Sequence, residues 1–209
     1  MSFEIWLAFA AASTALLVIP GPTLMMVLSY AISDGRRVAV ASALGVATGD
    51  LIAMTLSVIG LGAILLTSAL AFTVLKWVGA AYLVYLGVRM ILSARGAAST
   101  LTGRTPGQRP GKVFRDLTMV TALNPKSNTF FVAFVPQFID PAAAYAPQAG
   151  ILIATFVGIA AINALVFALA ATLLRARITR PAVQAWLTRA GGATLIAMGA
   201  VTATLRRAT

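Results

Sequence analysis

Residues 38–66 read VAVASALGVATGDLIAMTLSVIGLGAILL, and Asp50 is the one charge in that stretch. A helix that crosses a bilayer needs ~20 predominantly apolar residues, each rising ~1.5 Å. This stretch is longer than that. It shows no alternation of polarity, whereas a membrane-barrel strand alternates over ~10 residues, so helix is the reading. Asp50 then lies ~18 Å deep in a ~30 Å hydrocarbon core. A carboxylate at such depth costs at least ~2.5–3.5 kcal/mol, so it must face the interior of a bundle and meet a partner there.

Working outward, the rest of the chain has the same character. Of 209 residues, 60% are hydrophobic and only 10% charged, with a mean hydropathy of +0.93. Soluble domains carry roughly 25% charged residues, so there is too little charge here for a water-facing surface or a disordered chain. Cysteine and histidine are absent. That excludes disulfides, thiol catalysis, Cys-ligated metals and the commonest general base. No phosphate loop or nucleophile–base pair is present, so the sequence supports neither ATP drive nor an enzyme, and it implies no cofactor.

Five further apolar runs complete a predicted all-α membrane protein of six helices, with spans at about 5–30, 38–66, 69–92, 116–139, 149–174 and 183–205. The first does not read as a cleaved signal peptide, because Glu4 stands where Lys or Arg belongs and the apolar sequence runs on. Residues 1–93 form a first three-helix half, 94–115 a loop rich in Gly, Pro and Arg, and 116–209 a second half. The net charge of +11 is no nucleic-acid footprint, since the basic residues fall between apolar runs. Arg36 and Arg37 lie in the first connection, Arg95, Arg104, Arg109, Lys112 and Arg115 in the third, and Arg175, Arg177 and Arg180 in the fifth. The second and fourth connections have no Lys or Arg. The positive-inside rule therefore puts the odd connections in the cytoplasm and the N-terminus outside. Arg206 and Arg207 run against that assignment.

The two halves echo each other. Gly45 and Asp50 match Gly158 and Asn163 at an offset of 113 residues; Gly79, Leu83 and Gly87 match Gly191, Leu195 and Gly199 at 112. Pro20-Gly21-Pro22 lines up with Asn124-Pro125-Lys126 at an offset near 103. Three spans per half turns the second copy upside down, the architecture in which transporters hold substrate at mid-membrane between repeats. Proline removes a backbone donor and clashes with the preceding turn, freeing backbone groups at both breaks.

Lys126 lies at a depth similar to that of Asp50. Two readings stay open: a structural Asp50–Lys126 ion pair, or a binding site for a polar or zwitterionic solute. Asn124, Asn128 and Asn163 serve equally as interhelical hydrogen bonders or as lining. Gly45 and Gly49 form a GxxxG pair, whose usual meaning is close helix packing. Phe130, Phe131 and Phe134 read as core or lipid-facing.

Four motifs in order resemble the LysE/RhtB family of bacterial amino-acid exporters. They are Pro20-Gly21-Pro22, then Gly45-x-x-x-Gly49-Asp50, then Leu75-Lys76-Trp77-Val78-Gly79-Ala80-Ala81-Tyr82-Leu83-x-x-x-Gly87, and then Asn124-Pro125-Lys126 followed by Phe130-Phe131 and Pro136-Gln137-Phe138. The resemblance implies a multi-pass inner-membrane secondary transporter exporting amino acids or close derivatives, with protons as counter-ion and the lipid bilayer as surroundings. It is compatible with a homo-oligomer. The positions it carries over as pathway-lining are Pro20, Gly21, Pro22, Asp50, Asn124, Pro125 and Lys126; Gly45, Gly49 and Asn163 join them as candidates. The competing class is a cation exporter, though one Asp without Cys or His ligates a soft metal poorly.

Overall fold

A computed structural model describes residues 1–19, 21–67, 69–94, 107–140, 142–178 and 180–204. Pro20, most of the 94–115 loop with Arg95 and Arg104, and Arg206 and Arg207 lie outside the described residues. All regular structure among the described residues is helical.

The first apolar run is two helices, α1 (Phe3–Val18) and α2 (Pro22–Asp34). Ser2 caps α1 through its hydroxyl, which accepts from the Ile5 N–H. Gly21 precedes α2, and Pro22 occupies its first turn, where a missing N–H costs nothing. Gly35, at φ +65°, ends α2 in the left-handed region that suits glycine. A short 3-10 turn (Gly35–Val38) leads into α3 (Ala39–Thr67), and α4 (Ala69–Ser93) follows.

The stretch expected as a span over 116–139, with its proline break at Asn124-Pro125-Lys126, starts earlier and is interrupted a second time. Helix α5 starts earlier, at Pro110, and ends at Ala122; α6 runs Pro125–Ala133, and a 3-10 turn covers Val135–Phe138. Two prolines explain this. Pro125 cannot donate to a continuing helix, and Pro136 ends the next segment. The chain finishes with α7 (Tyr145–Ile178) and α8 (Pro181–Thr204).

Helices α3 and α7 pack on each other at the centre. Helix α3 also rests on α5 and α6, and α7 rests on α1 and α2. To one side α4 pairs with α8 and touches α6. The core next to α1 is aromatic: Phe9, Phe130, Phe131 and Phe156 are fully buried, with Phe134 and Phe138 against them. Rings in such offset and edge-on arrangements hold each other beyond simple area burial.

Outward faces are apolar too. Val40, Leu44, Leu56 and Ile59 on α3, and Ile162 and Val166 on α7, are exposed. Contiguous apolar surface of this kind is a liability in water and what hydrocarbon requires. By length and composition, Pro22–Gly60 and Tyr145–Ala171 can each cross a membrane.

Candidate functional site

Both breaks leave helix ends inside the protein, where each unpaired backbone group must find a partner. The carbonyls at the end of α1 find theirs on the second half of the chain. The Lys126 ammonium donates to the oxygens of Leu16 and Ile19, both at 3.0 Å. The Asn163 amide donates to Leu17 O at 3.1 Å. At the other break, Asn128 donates to Ala122 O at 3.1 Å, at the end of α5.

The side chain of Asn124 works in two directions. Its oxygen accepts from the Lys126 N–H at 3.0 Å and so caps α6. Its amide donates to Thr23 Oγ1 at 3.0 Å, and the Thr121 hydroxyl donates to the same atom at 3.3 Å. Asn124 and Thr121 thereby tie the end of α5 to the start of α2. No side chain caps α2 itself, so the positive end of its dipole faces inward without a counter-charge from its own cap.

These groups surround a cavity of about 30 Å³, lined by residues from α1, α2 and α3 on one side and from α5, α6 and α7 on the other. That is room for a water molecule or two, so an amino acid fits only when neighbouring helices part. Of the residues singled out in the sequence, the wall brings together Gly21, Asp50, Asn124, Lys126 and Asn163. Pro22 and Pro125 act through the backbone, in the first turns of α2 and α6. Gly45 and Gly49 face α5: a methyl group at Gly45 would stand 2.6 Å from Phe114 O, and one at Gly49 2.6 Å from Thr121 Cβ. At both, the backbones of α3 and α5 are in close contact. Thr23, Thr121 and Ser127 line the wall without having stood out in the sequence. Hydroxyls are ordinary in apolar helices, because they can return a bond to the preceding turn, so nothing marked these three.

Asp50 and Lys126 are 1% and 7% exposed. The structural ion pair left open by the sequence is not formed. Among the described residues the one salt bridge is Arg115–Asp116, at 3.5 Å. Lys126 is committed to α1 carbonyls instead, and the buried Oδ1 of Asp50 has no hydrogen-bond partner. A buried carboxylate oxygen left unmatched in this way is costly unless something arrives to pair with it. The arrangement offers an acceptor for a cationic or protonated group. About it stand the Lys126 ammonium, a helix N-terminus and the hydroxyl residues Thr23, Thr121 and Ser127.

A family model described as LysE type translocator matches residues 14–206. The chain belongs to that family. Among curated relatives, the homoserine/homoserine lactone efflux protein of Salmonella typhimurium is 36% identical over the full length of both chains. An uncharacterized membrane protein of Vibrio cholerae is 32% identical over 99% of this chain and all of its own. The leucine efflux protein of Salmonella typhimurium is 32% identical over 67% of this chain and 66% of its own. No solved structure matches the fold. Family membership agrees with the resemblance carried by the Pro-Gly-Pro, Gly-x-x-x-Gly-Asp and Asn-Pro-Lys motifs, all of which lie within the matched residues.

Proposed function

We propose that this LysE-family chain exports an amino acid or close derivative across the bacterial inner membrane, driven by the proton-motive force. The observation that carries the reading is the unpartnered carboxylate oxygen of Asp50 in the cavity between the halves. The substrate ammonium binds Asp50, and its carboxylate meets the start of α2 around Gly21 and Thr23, where free N–H groups and the helix dipole favour an anion. With the site empty, Asp50 takes a proton. Exchange of ammonium for proton at one carboxylate couples export to the gradient. The relatives whose names give homoserine, homoserine lactone or leucine efflux support a small amino acid or its derivative as cargo.

Six spans in two inverted halves accompany this reading: α1 with α2, α3 and α4 make the first half, and α5 with α6, α7 and α8 the second. Reciprocal packing supports it. A methyl group at Gly87 would collide with Gly192 and Ile196, and one at Gly199 would collide with Ala80 and Val84. Each partner in the first contact has its counterpart in the second at an offset of 112 residues. Reciprocity of that kind is what a two-fold axis between α4 and α8 produces.

The test uses purified protein in liposomes loaded with labelled L-homoserine. An imposed pH gradient, acid on the trans side, drives efflux by the wild type against a homoserine gradient. Asp50→Asn keeps the size and hydrogen-bonding capacity of the side chain and removes its charge; it inserts but does not drive uphill efflux. Uphill efflux by that variant would overturn the coupling role of Asp50. In cells, tolerance of toxic amino-acid analogues rather than of toxic metal salts separates this reading from cation export.

A further inference from the structure

Lys126 shares its cavity with a carboxyl group and does not bond to it. Asp50 lines the same wall with an unmatched oxygen, yet the ammonium sits on two neutral carbonyls at the end of α1. Those carbonyls carry the negative end of the α1 dipole. They belong to the first half of the chain, whereas Lys126 opens α6 in the second. One long side chain therefore ties α1 to α6 across the site.

We infer that Lys126 is a latch that a substrate's acyl oxygens release: it holds the end of α1 while the site is empty and moves onto the carboxyl group of bound substrate. The inference rests on the substrate site proposed above. Three features make the exchange feasible. An ammonium facing a carboxylate gains the attraction of opposite charges at low local dielectric, which a neutral carbonyl does not supply, so an arriving carboxylate wins. The four-carbon stem lets the head group swing without backbone movement. Gly21 leaves room for it, since a methyl group there would stand 3.1 Å from Lys126 Nζ.

Release has a consequence for α1. The carbonyls of Leu16 and Ile19 lose their donor and must find another, which a buried helix end can do only by moving. Asn163 still holds Leu17, and the Trp6 indole still donates to Thr155 at 3.0 Å. The freed carbonyls flank Leu17, so the end of α1 turns about that one remaining tie, next to the cavity. A loaded site loosens the helix end that covers it, and an empty one keeps it shut.

Ser13 offers a reporter. It lies fully buried on α1, a turn before Leu16, and its hydroxyl has no partner. Ser13→Cys changes one atom in a chain with no native cysteine. In nanodiscs, its labelling by a membrane-impermeant maleimide reads the opening of α1. In the ligand-free protein, adding Lys126→Met is expected to raise the labelling rate about ten-fold, the effect of losing two charge-assisted bonds to the closed form. Gly21→Ala, which crowds the ammonium while keeping it, raises labelling in the same direction and serves where Lys126→Met does not fold. With Lys126 intact, saturating L-homoserine raises labelling. At equal concentration 3-amino-1-propanol, which keeps the ammonium and hydroxyl but lacks the carboxyl, does not. Ser13→Cys that stays protected in both ligand-free variants overturns the latch, whatever the cargo proves to be. Equal opening by homoserine and aminopropanol overturns the role of the acyl oxygens while leaving Asp50 as the ammonium site intact. Absence of homoserine binding by calorimetry, with ligand-free unlatching still observed, counts against the substrate site alone.

Discussion

Gly45 and Gly158 stand 113 residues apart, at matching places of the proposed repeat, yet the same substitution is expected to have opposite effects at them. A methyl group at Gly45 meets the backbone oxygen of Phe114 at 2.6 Å and Leu117 Cβ at 3.0 Å. Backbone cannot swing aside, so Gly45→Ala forces α3 and α5 apart and costs about 1–3 kcal/mol. A methyl group at Gly158 meets nothing within 4 Å. There alanine removes only the entropic penalty of a mid-helix glycine and stabilises by about 0.5–1 kcal/mol. Thermal unfolding in one detergent, followed by intrinsic fluorescence, places the two variants on opposite sides of the wild type. A Gly45→Ala variant at least as stable as the wild type would show that α3 and α5 are not in close contact. At this scale the sequence was half legible. Asp50 and Lys126 stand out in any hydropathy reading because a buried charge is expensive. The partner of Lys126 does not, since Leu16 and Ile19 contribute backbone oxygens that every residue has.

At the level of elements, the two breaks were legible as prolines and their positions followed, while their consequences for length did not. The run 116–139 looks continuous in hydropathy; Pro125 marks the break, and the Asn124 cap fixes the start of α6. Asn124 and Pro125 stop the helix by different means. Proline denies a donor to the preceding turn, and in the first turn of α6 it costs nothing. The Asn124 oxygen holds the Lys126 N–H and is worth about 1 kcal/mol as a cap. Pro125→Ala alone therefore leaves the break in place under the cap, and efflux of labelled homoserine stays within about three-fold of the wild type. Asn124→Ala with Pro125→Ala removes both stops, and α5 runs on into α6 because alanine propagates a helix ~3 kcal/mol better than proline in its interior. That continuation turns Lys126 away from the end of α1. The double variant inserts normally and loses efflux by an order of magnitude beyond Asn124→Ala alone. Equal efflux in the double variant and in Asn124→Ala would mean that the break serves packing only.

For the whole molecule, orientation in the bilayer rests on where the folded chain collects its positive charge. Asp34, at the end of α2, accepts from the backbone N–H groups of Gly107 and Gln108 at 2.6 and 2.8 Å. The Tyr30 hydroxyl donates to Asp116 at 2.6 Å. These bonds draw the start of α5 to the end of α2. Arg36 and Arg37 thus gather with Arg109, Lys112 and Arg115 at one pole, although the sequence separates them by some 70 residues. The turn between Phe138 and α7, closed by Gln148 onto Asp140, has no basic residue. Basic residues next to membrane helices stay on the cytoplasmic side, so we propose that the Arg36–Arg115 pole faces the cytoplasm and the Asp140–Gln148 turn faces out. Gly111 and Ala143 are exposed at these two places, and a methyl group at Gly111 meets nothing within 4 Å. In intact cells, Ala143→Cys is expected to react with a membrane-impermeant thiol reagent and Gly111→Cys to react only after permeabilisation. The reverse pattern would invert the molecule and send its cargo inward. Labelling of both sites in intact cells would put the two poles on one side and remove the six-span arrangement along with it.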